Sequence, residues 1–380
     1  MKIIHLCVSC FYIDNYRYQE NELVREHVAT GNEVLVVAST ETYLNNLSLG
    51  YTAPGEYMGS DGARVIRLPY GGLLPFFLKK KLRKHNRVSQ ILRDFKPDII
   101  VFHGLCGWEL RSVARYKRDN PHVRLYVDSH EDSNNSAVGK LSKLLHAFYY
   151  RPLIRQALPY IDKVLCISLE TMDFCREKYG LNDDVMEFFP LGGYIADDDS
   201  YQKQRSQTRA SLGIHSANTV FIQSGKFDHK KKLVESLMAF SATKSEDFRF
   251  LIVGKVHESI AKQVEEISRR DTRVSFLGWK TADELYTLLC AADVYVQPGS
   301  QSATMQMSLC ARRPVIIADV PSHVPFVDGN GWKVKSQGDL VEAFAEIEAK
   351  PEILDLLSLR SLEIASNLLD YRRMAKRLLT

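Results

Sequence analysis

The sequence has no apolar run long enough to cross a membrane, so no transmembrane helix is expected in its 380 residues. A secretory signal is also missing. The opening MKIIHLCVSCFYIDNY has a short apolar run broken by His5 and Ser9, with no small-residue cleavage site, and reads as a first β-strand. Seven cysteines (Cys7, Cys10, Cys106, Cys166, Cys175, Cys290, Cys310) are scattered, mostly in apolar surroundings. That fits reduced, buried thiols in a cytoplasmic protein. Cys7 and Cys10 form a CxxC with no second pair and no histidine at zinc spacing, so structural thiols are expected there rather than a metal or redox centre. Nucleic-acid reader motifs and interleaved aromatic and basic residues are missing as well, so no nucleic-acid partner is expected. No short repeat divides the chain.

What is present is an ordinary globular balance, 45% hydrophobic and 25% charged, in a chain long enough for two domains with their own cores. The net charge of +4 is unevenly spread. Arg64–Arg118 carries 14 Lys/Arg against 3 Asp/Glu, so the remainder is net negative. Within this region Leu73-Leu74-Pro75-Phe76-Phe77-Leu78 precedes KKKLRKH (Lys79–His85). Apolar anchors beside cations over Leu73–Arg87 suit peripheral contact with an anionic membrane surface. The competing reading is a solvated basic helix face whose apolar residues pack inward.

Apolar runs alternate with amphipathic segments. Strands are expected at Lys2–Val8, Val34–Ala38, Val65–Leu68, Asp98–Phe102, Val123–Val127 and Lys163–Ile167. Helices are expected at Tyr18–Thr30, over a basic segment to about Phe95, to about Arg118, from about Val138, and over Leu169–Tyr179. A polar loop with Gly50, Pro54, Gly55, Gly59 and Gly62 follows the second strand. Leu191–Ser211 reads as a linker, with Asp197-Asp198-Asp199 as a solvated turn rather than a metal site. Alternation restarts with strands at Thr219–Ile222, Phe250–Val253, Val274–Leu277, Asp293–Gln297 and Val315–Ala318, and Gln337–Thr380 reads as helical throughout. This order predicts parallel, doubly wound α/β sheets.

In such sheets ligands gather at the carboxyl ends of the strands. The first half offers His103, Asp128 and His130 there, with Tyr18 at the start of the first helix. The second half offers Gly225-Lys226, Lys230-Lys231-Lys232, Gly254-Lys255 and Gly278-Trp279-Lys280. It also holds DVYVQPGSQSATMQMSLCARRPVII (Asp293–Ile317), which reads as strand, loop, helix and strand. A helix beginning near Ser302 and Thr304 would present unpaired N–H groups and its dipole to a phosphate, or be no more than an ordinary polar cap. The lysine run is either a phosphate site or a solvated helix start. His130 and His103 are either site groups or core and capping histidines. Trp279 either stacks on a ligand or packs, and Tyr18 either caps its helix or meets an acceptor. Cations opposite polar groups suit transfer of a group from a phosphorylated donor.

SGKFDHKKKLVESLMAF (Ser224–Phe240), FLGWKTADELYTLLCAADVYVQP (Phe276–Pro298) and KVLCISLETMDFCREKYG (Lys163–Gly180) occur in an order that resembles the GT-B-fold glycosyltransferases of family 4, the retaining, nucleotide-sugar-dependent group. The resemblance covers nearly the whole chain. It implies two Rossmann-like domains facing a central cleft: an acceptor-side domain at 1–192 and a nucleotide-sugar domain at 193–360, with a C-terminal helix of about 361–380 packing back on the first. It implies that Lys226 and Lys231 hold the donor pyrophosphate beside Gly225 and Gly254. The N–H groups of Ser302, Ala303 and Thr304 would receive the distal phosphate, and Trp279 would bracket the base. His130 would lie near the donor sugar, and His103, Asp128 and Tyr18 on the acceptor side. No metal or other cofactor is implied, because lysines and the helix dipole neutralise the phosphates. The acceptor would be a glycan or lipid-linked sugar in surface polysaccharide or glycolipid assembly. The chain departs from the family's E-x7-E, which falls on Gly299 and Met307. Both carboxylates are missing, leaving Gln306, Ser300 or Gln301 to bond the sugar. A non-catalytic GT-B scaffold with a degenerate donor site, or a GT-B sugar-nucleotide epimerase, are the alternatives that this departure leaves open.

Overall fold

The structure, a computed structural model, describes residues 1–380 other than 45–47, 74, 134 and 301. Leu74 of the basic apolar patch and Gln301 therefore lie outside the described residues. The chain forms two compact units, Met1–Pro190 with Tyr371–Thr380, and Leu191–Asp370.

The first unit's strands are β1 (Lys2–Cys7), β2 (Glu33–Ser39), β3 (Glu41–Tyr43), β4 (Leu49–Tyr51), β5 (Gly55–Met58), β6 (Arg64–Leu68), β7 (Ile99–Phe102), β8 (Arg124–Ser129), β9 (Lys163–Cys166) and β10 (Met186–Phe188). Eight of them form one sheet in the order β10-β9-β8-β7-β1-β2-β6-β5, and β3 and β4 pair as a separate hairpin. Only β5 runs antiparallel in the large sheet. The second unit carries β11 (Thr219–Phe227), β12 (Phe248–Val256), β13 (Val274–Gly278), β14 (Val294–Gln297), β15 (Val315–Ala318) and β16 (Gly331–Val334) in the order β13-β12-β11-β14-β15-β16, all parallel. Central strands such as IIVF of β7 and VIIA of β15 are buried along their whole length, as helices on both faces of a parallel sheet require. Each fully buried Val, Leu or Ile there contributes about 1.5–3 kcal/mol.

Strands β10 and β16 are not among those expected from the sequence, and four other segments differ from the expectation. The polar loop after β2 contains β3, β4 and β5; β5 is exposed along its whole length, and the short β3 and β4 carry no run of apolar residues. The basic helix is two helices, Phe76–Leu82 and Val88–Phe95. Between them Arg83 and Arg87 take left-handed backbones (φ 49° and 74°). Buried His85 bonds the Pro69 and Val8 carbonyls at 3.2 Å each, and Arg83 donates to the Ser9 and Cys106 carbonyls, so long-range anchors override the helical period. The presumed linker is largely a helix, Asp198–Ser211. Asp197 caps it by accepting from Ser200 N–H at 2.9 Å, and Arg205 and Arg209 grip Asp293 at the foot of β14. Removing that carboxylate would leave two poorly solvated cations, a loss of about 3–5 kcal/mol. Last, β11 and β12 do not end at their glycines. They run on side by side through Phe227 and Val256.

Candidate functional site

In the second sheet the strand order reverses between β11 and β14, the position where doubly wound sheets open a crevice. The loops leaving these strands are tied together. Ser300 N–H donates to the Lys230 carbonyl (2.9 Å), and the Lys231 ammonium donates to the Ser300 carbonyl (2.9 Å). Gln297 and Gln223 amides bond the Ser300 and Lys231 carbonyls at 2.7 and 2.9 Å. Gly299 lies at the crossing. A Cβ there would sit 2.1 Å from the Lys230 carbonyl oxygen, so side chains are excluded by backbone packing. Burial lowers the pKa of Lys231, and nearby Asp228 opposes that shift.

On β11 and β12, Gly225 pairs with Gly254 and Lys226 with Lys255. Both glycines have positive φ (146° and 143°), and a Cβ on Gly254 would lie 1.8 Å from the Gly225 carbonyl oxygen. Trp279, 64% exposed, follows β13, and the Lys226 ammonium stands 5.8 Å from its ring centroid. Trp279, Phe276, Gly254 and Val264 help line a mainly apolar groove of about 690 Å³. The helix Ala303–Cys310 starts beyond β14. Extended Ser302 caps it by accepting from Thr304 N–H at 3.3 Å. Gln306 is buried, and with its amide oriented to match the donors and acceptors around it, the nitrogen donates to the Ser302 and Ala303 carbonyls (3.1 and 3.2 Å), into its own helix start.

In the first unit the sheet order reverses between β1 and β7, and the polar groups meet near these carboxyl ends. His103, after β7, bonds the Asp128 carboxylate of β8 through Nδ1. The other Asp128 oxygen accepts from Gly104 N–H at 2.7 Å, and His130 Nε2 lies 3.8 Å from Asp128. Burial opposes charge on His103, but Asp128 outweighs it and raises its pKa to about 10. Asp128 is likewise opposed by burial and held well below the usual carboxylate range by His103 and His130. His130, with a side chain 39% exposed, is raised by the same carboxylate against burial. Glu20 sits in the buried first turn of the helix Gln19–Ala29. Its pKa is pushed up by burial, against the pull of His103 and His130. Tyr18 precedes that turn and meets the Tyr43 hydroxyl at 3.4 Å. A cavity of about 250 Å³ is lined by Ser9, Glu41, Tyr70, Arg83, Glu131 and His146, among others.

Sequence reasoning missed His5 and His27, and weighed Glu20 only as one residue of the Tyr18–Asn21 helix start, a cap or an acceptor contact. His5 on β1 and His27 on the first helix are fully buried and bonded to each other at 3.0 Å. A histidine inside an otherwise apolar strand was the only local signal. Metal-ligand atom types do gather at Cys106, Glu131 and His146, within 4.8 Å of one another. The Tyr179 hydroxyl stands among them, at 3.0, 2.8 and 2.7 Å respectively, and joins them in a hydrogen-bonded network.

Two family models match the chain: a glycosyl transferase 4-like domain over residues 18–192 and glycosyl transferases group 1 over 218–350. Solved structures match along the full length. HepE of Anabaena in complex with UDP is 15% identical, with 100% of this chain and 98% of that one covered and a TM-score of 0.66. WaaG, a glycosyltransferase involved in lipopolysaccharide biosynthesis, is 14% identical, with 98% of each chain covered and a TM-score of 0.62. Sucrose-phosphate synthase from Thermosynechococcus elongatus is 15% identical, with 99% and 97% covered and a TM-score of 0.63. At these identities the likeness establishes the fold. No curated protein matches the chain in sequence.

Proposed function

The chain belongs to the group 1 glycosyl transferases, family 4 of the GT-B fold, and on that premise we propose that it transfers a sugar from a uridine-diphosphate donor to a glycan or lipid-linked acceptor, with retention at the anomeric carbon. The observation that carries this reading is the pair of joined loops at the β11/β14 reversal, where Lys231, Gly225-Lys226 and a helix N-terminus converge. Lys226 and Lys231 neutralise the pyrophosphate as the bond to the sugar breaks. The N–H groups of Ser302, Ala303 and Thr304 receive the distal phosphate. Trp279 and the apolar groove beside it hold the base. HepE is solved with UDP, which supports a uridine nucleotide.

In this scheme the leaving phosphate oxygen takes the proton of the attacking acceptor hydroxyl on the same face, so no covalent nucleophile is needed. His130 accepts a hydrogen bond from a sugar hydroxyl, and Asp128 and His103 fix its orientation. The lysines make a metal unnecessary. Glycine at 299 leaves the sugar to be read by neutral groups, which shifts donor preference relative to enzymes with a carboxylate there.

The exposed apolar residues Leu73, Phe76 and Phe77 beside Lys79–Lys81 dock the first unit on an anionic membrane face, which fits a lipid-linked acceptor and peripheral attachment at the cytoplasmic side. Calorimetry with UDP and UDP-sugars, alongside GDP-, ADP- and dTDP-sugars, tests the donor. Lys231→Ala is expected to lower the transfer rate roughly a hundredfold, about 3 kcal/mol of transition-state stabilisation. A rate within threefold of the parent, or no binding of any nucleotide sugar, refutes the reading.

A further inference from the structure

The buried histidines form a line with a fixed direction. His27 Nε2 is 3.1 Å from the Ala375 carbonyl in the C-terminal helix Tyr371–Arg377. His27 Nδ1 is 3.0 Å from His5 Nε2, and His5 Nδ1 is 2.9 Å from His103 Nε2. His103 Nδ1 then meets Asp128. A carbonyl can only accept, so His27 must donate from Nε2. At the far end Asp128 already accepts from Gly104 N–H on one oxygen and takes His103 on the other. Both ends of the line are therefore acceptors, and three imidazoles stand between them.

Four contacts in series need four protons, one in each gap. Three neutral imidazoles supply only three. We propose that this line holds one extra proton, resident on His103, and that His5 and His27 are positioning residues that fix His103 as a cation and through it orient Asp128 and His130. The proposal rests on the reading of His130 as the group that bonds a sugar hydroxyl and of Asp128 as an acceptor-side group, but the proton count is independent of it.

The surroundings place the charge on His103 rather than its neighbours. His103 faces Asp128 from β8, Glu20 from the first helix and Cys7 and His5 from β1, with His130 nearby. His5 is wrapped by burial, His27 and His103, and its pKa falls well below the ordinary value. Burial brings His27 down to about 4, with the Ala375 carbonyl opposing and His103 adding to the fall. Loss of the extra proton from His103 would leave two lone pairs facing each other in a dry gap, a contact with no hydrogen bond to offset its desolvation. The C-terminal helix thereby acts on the site through one carbonyl oxygen, although its nearest line member is 348 residues away in sequence.

The test is nitrogen NMR of the full-length protein labelled with ¹⁵N-histidine, without any substrate, from pH 5.5 to 9. His103 is expected to show both nitrogens protonated throughout. His5 and His27 are expected to show the neutral Nε2–H tautomer throughout. An ordinary His103 titration near pH 6.5, or a Nδ1–H tautomer at His5, overturns the proposal. His27→Phe keeps the bulk but removes the acceptor for His5. His5 can then reverse its tautomer and accommodate a neutral His103, so His103 should lose its second ring proton within the pH 5.5–9 range. His27→Gln, with an amide N–H for Ala375 and an oxygen for His5, should restore it. A His103 that stays doubly protonated throughout that range in a folded His27→Phe protein also counts against the proposal, and the wild-type spectra decide the proton count if that variant fails to fold. Because no nucleotide sugar is present, failure here is distinct from failure of the donor assignment.

Discussion

In the first unit four buried side chains, His5, His27, His103 and Asp128, hold one another by hydrogen bonds across β1, β7, β8 and the first helix. In the second unit the equivalent strand ends carry glycines and lysines, and close backbone contacts, Gly225 against Gly254 and Gly299 against Lys230, join the bonds that Lys231, Gln297 and Gln223 make to loop carbonyls. One region stores its geometry in ionisable groups and is exposed to pH. The other stores it in close backbone packing and neutral or lysine bonds to carbonyls, and is exposed to any added side chain at its glycines. Both are made at a reversal of strand order, so the same topology supports two ways of holding polar groups still.

The sharpest way to break the second region is Gly254→Ala. The new Cβ would meet the Gly225 oxygen at 1.8 Å, on a backbone at φ 143°. Strand separation is expected to cost more than about 3 kcal/mol, read as a lower urea midpoint with an unchanged slope. A loss below about 1 kcal/mol would mean that β11 and β12 part easily.

For the first region the lever is pH. His103 is raised to about 10 in the folded protein, so its contribution is complete below its unfolded pKa of about 6.5 and is lost as the pH rises through about 10. Asp128 is depressed, so its contribution is present above its unfolded pKa of roughly 3.9 and fades as the pH falls below that. His27 acts in the opposite sense. It stays neutral down to about pH 4, so the unfolded chain takes up that proton first and stability declines between pH 6.5 and 4. Asp128→Asn is therefore expected to cost about 2–3 kcal/mol near pH 6 and progressively less toward pH 10, by urea unfolding at each pH. A difference that is flat from pH 6 to 10 would rule out the charged His103–Asp128 pair.

The smallest effect on the fold should come from the apolar patch. Phe77 is 67% exposed, so Phe77→Ser is expected to change stability by less than about 0.5 kcal/mol. Binding to vesicles containing anionic lipid should fall severalfold, and binding by the parent should weaken in high salt. Equal binding by both proteins would remove the membrane from the functional reading.

Much of the fold was legible from local pattern. Apolar strands such as Val34–Ala38 and Val315–Ala318 sit where periodicity put them, because burial on both faces writes itself into adjacent residues. The Asp198–Ser211 helix was hidden because its anchors are Arg205 and Arg209, whose partner Asp293 is more than eighty positions away. The break in the basic helix was hidden for the same reason, since His85 answers to Val8 and Pro69. At the loops after β11 and β14 the sequence showed lysines, glycines and a missing acidic pair. It gave no reason for glycine at 299, which is the approach of the Lys230 backbone.

The sequence alone determined two parallel α/β units and the residue types at their strand ends, because helical and strand periods are properties of neighbouring residues. Only the tertiary structure decided that His5, His27, His103, Asp128 and the Ala375 carbonyl would meet in one line. Those residues lie 348, 22, 98 and 25 positions apart at successive contacts, and nothing local to any of them specifies which atom donates. That order follows from two acceptors buried at opposite ends of the line, a condition that exists only once the chain is folded.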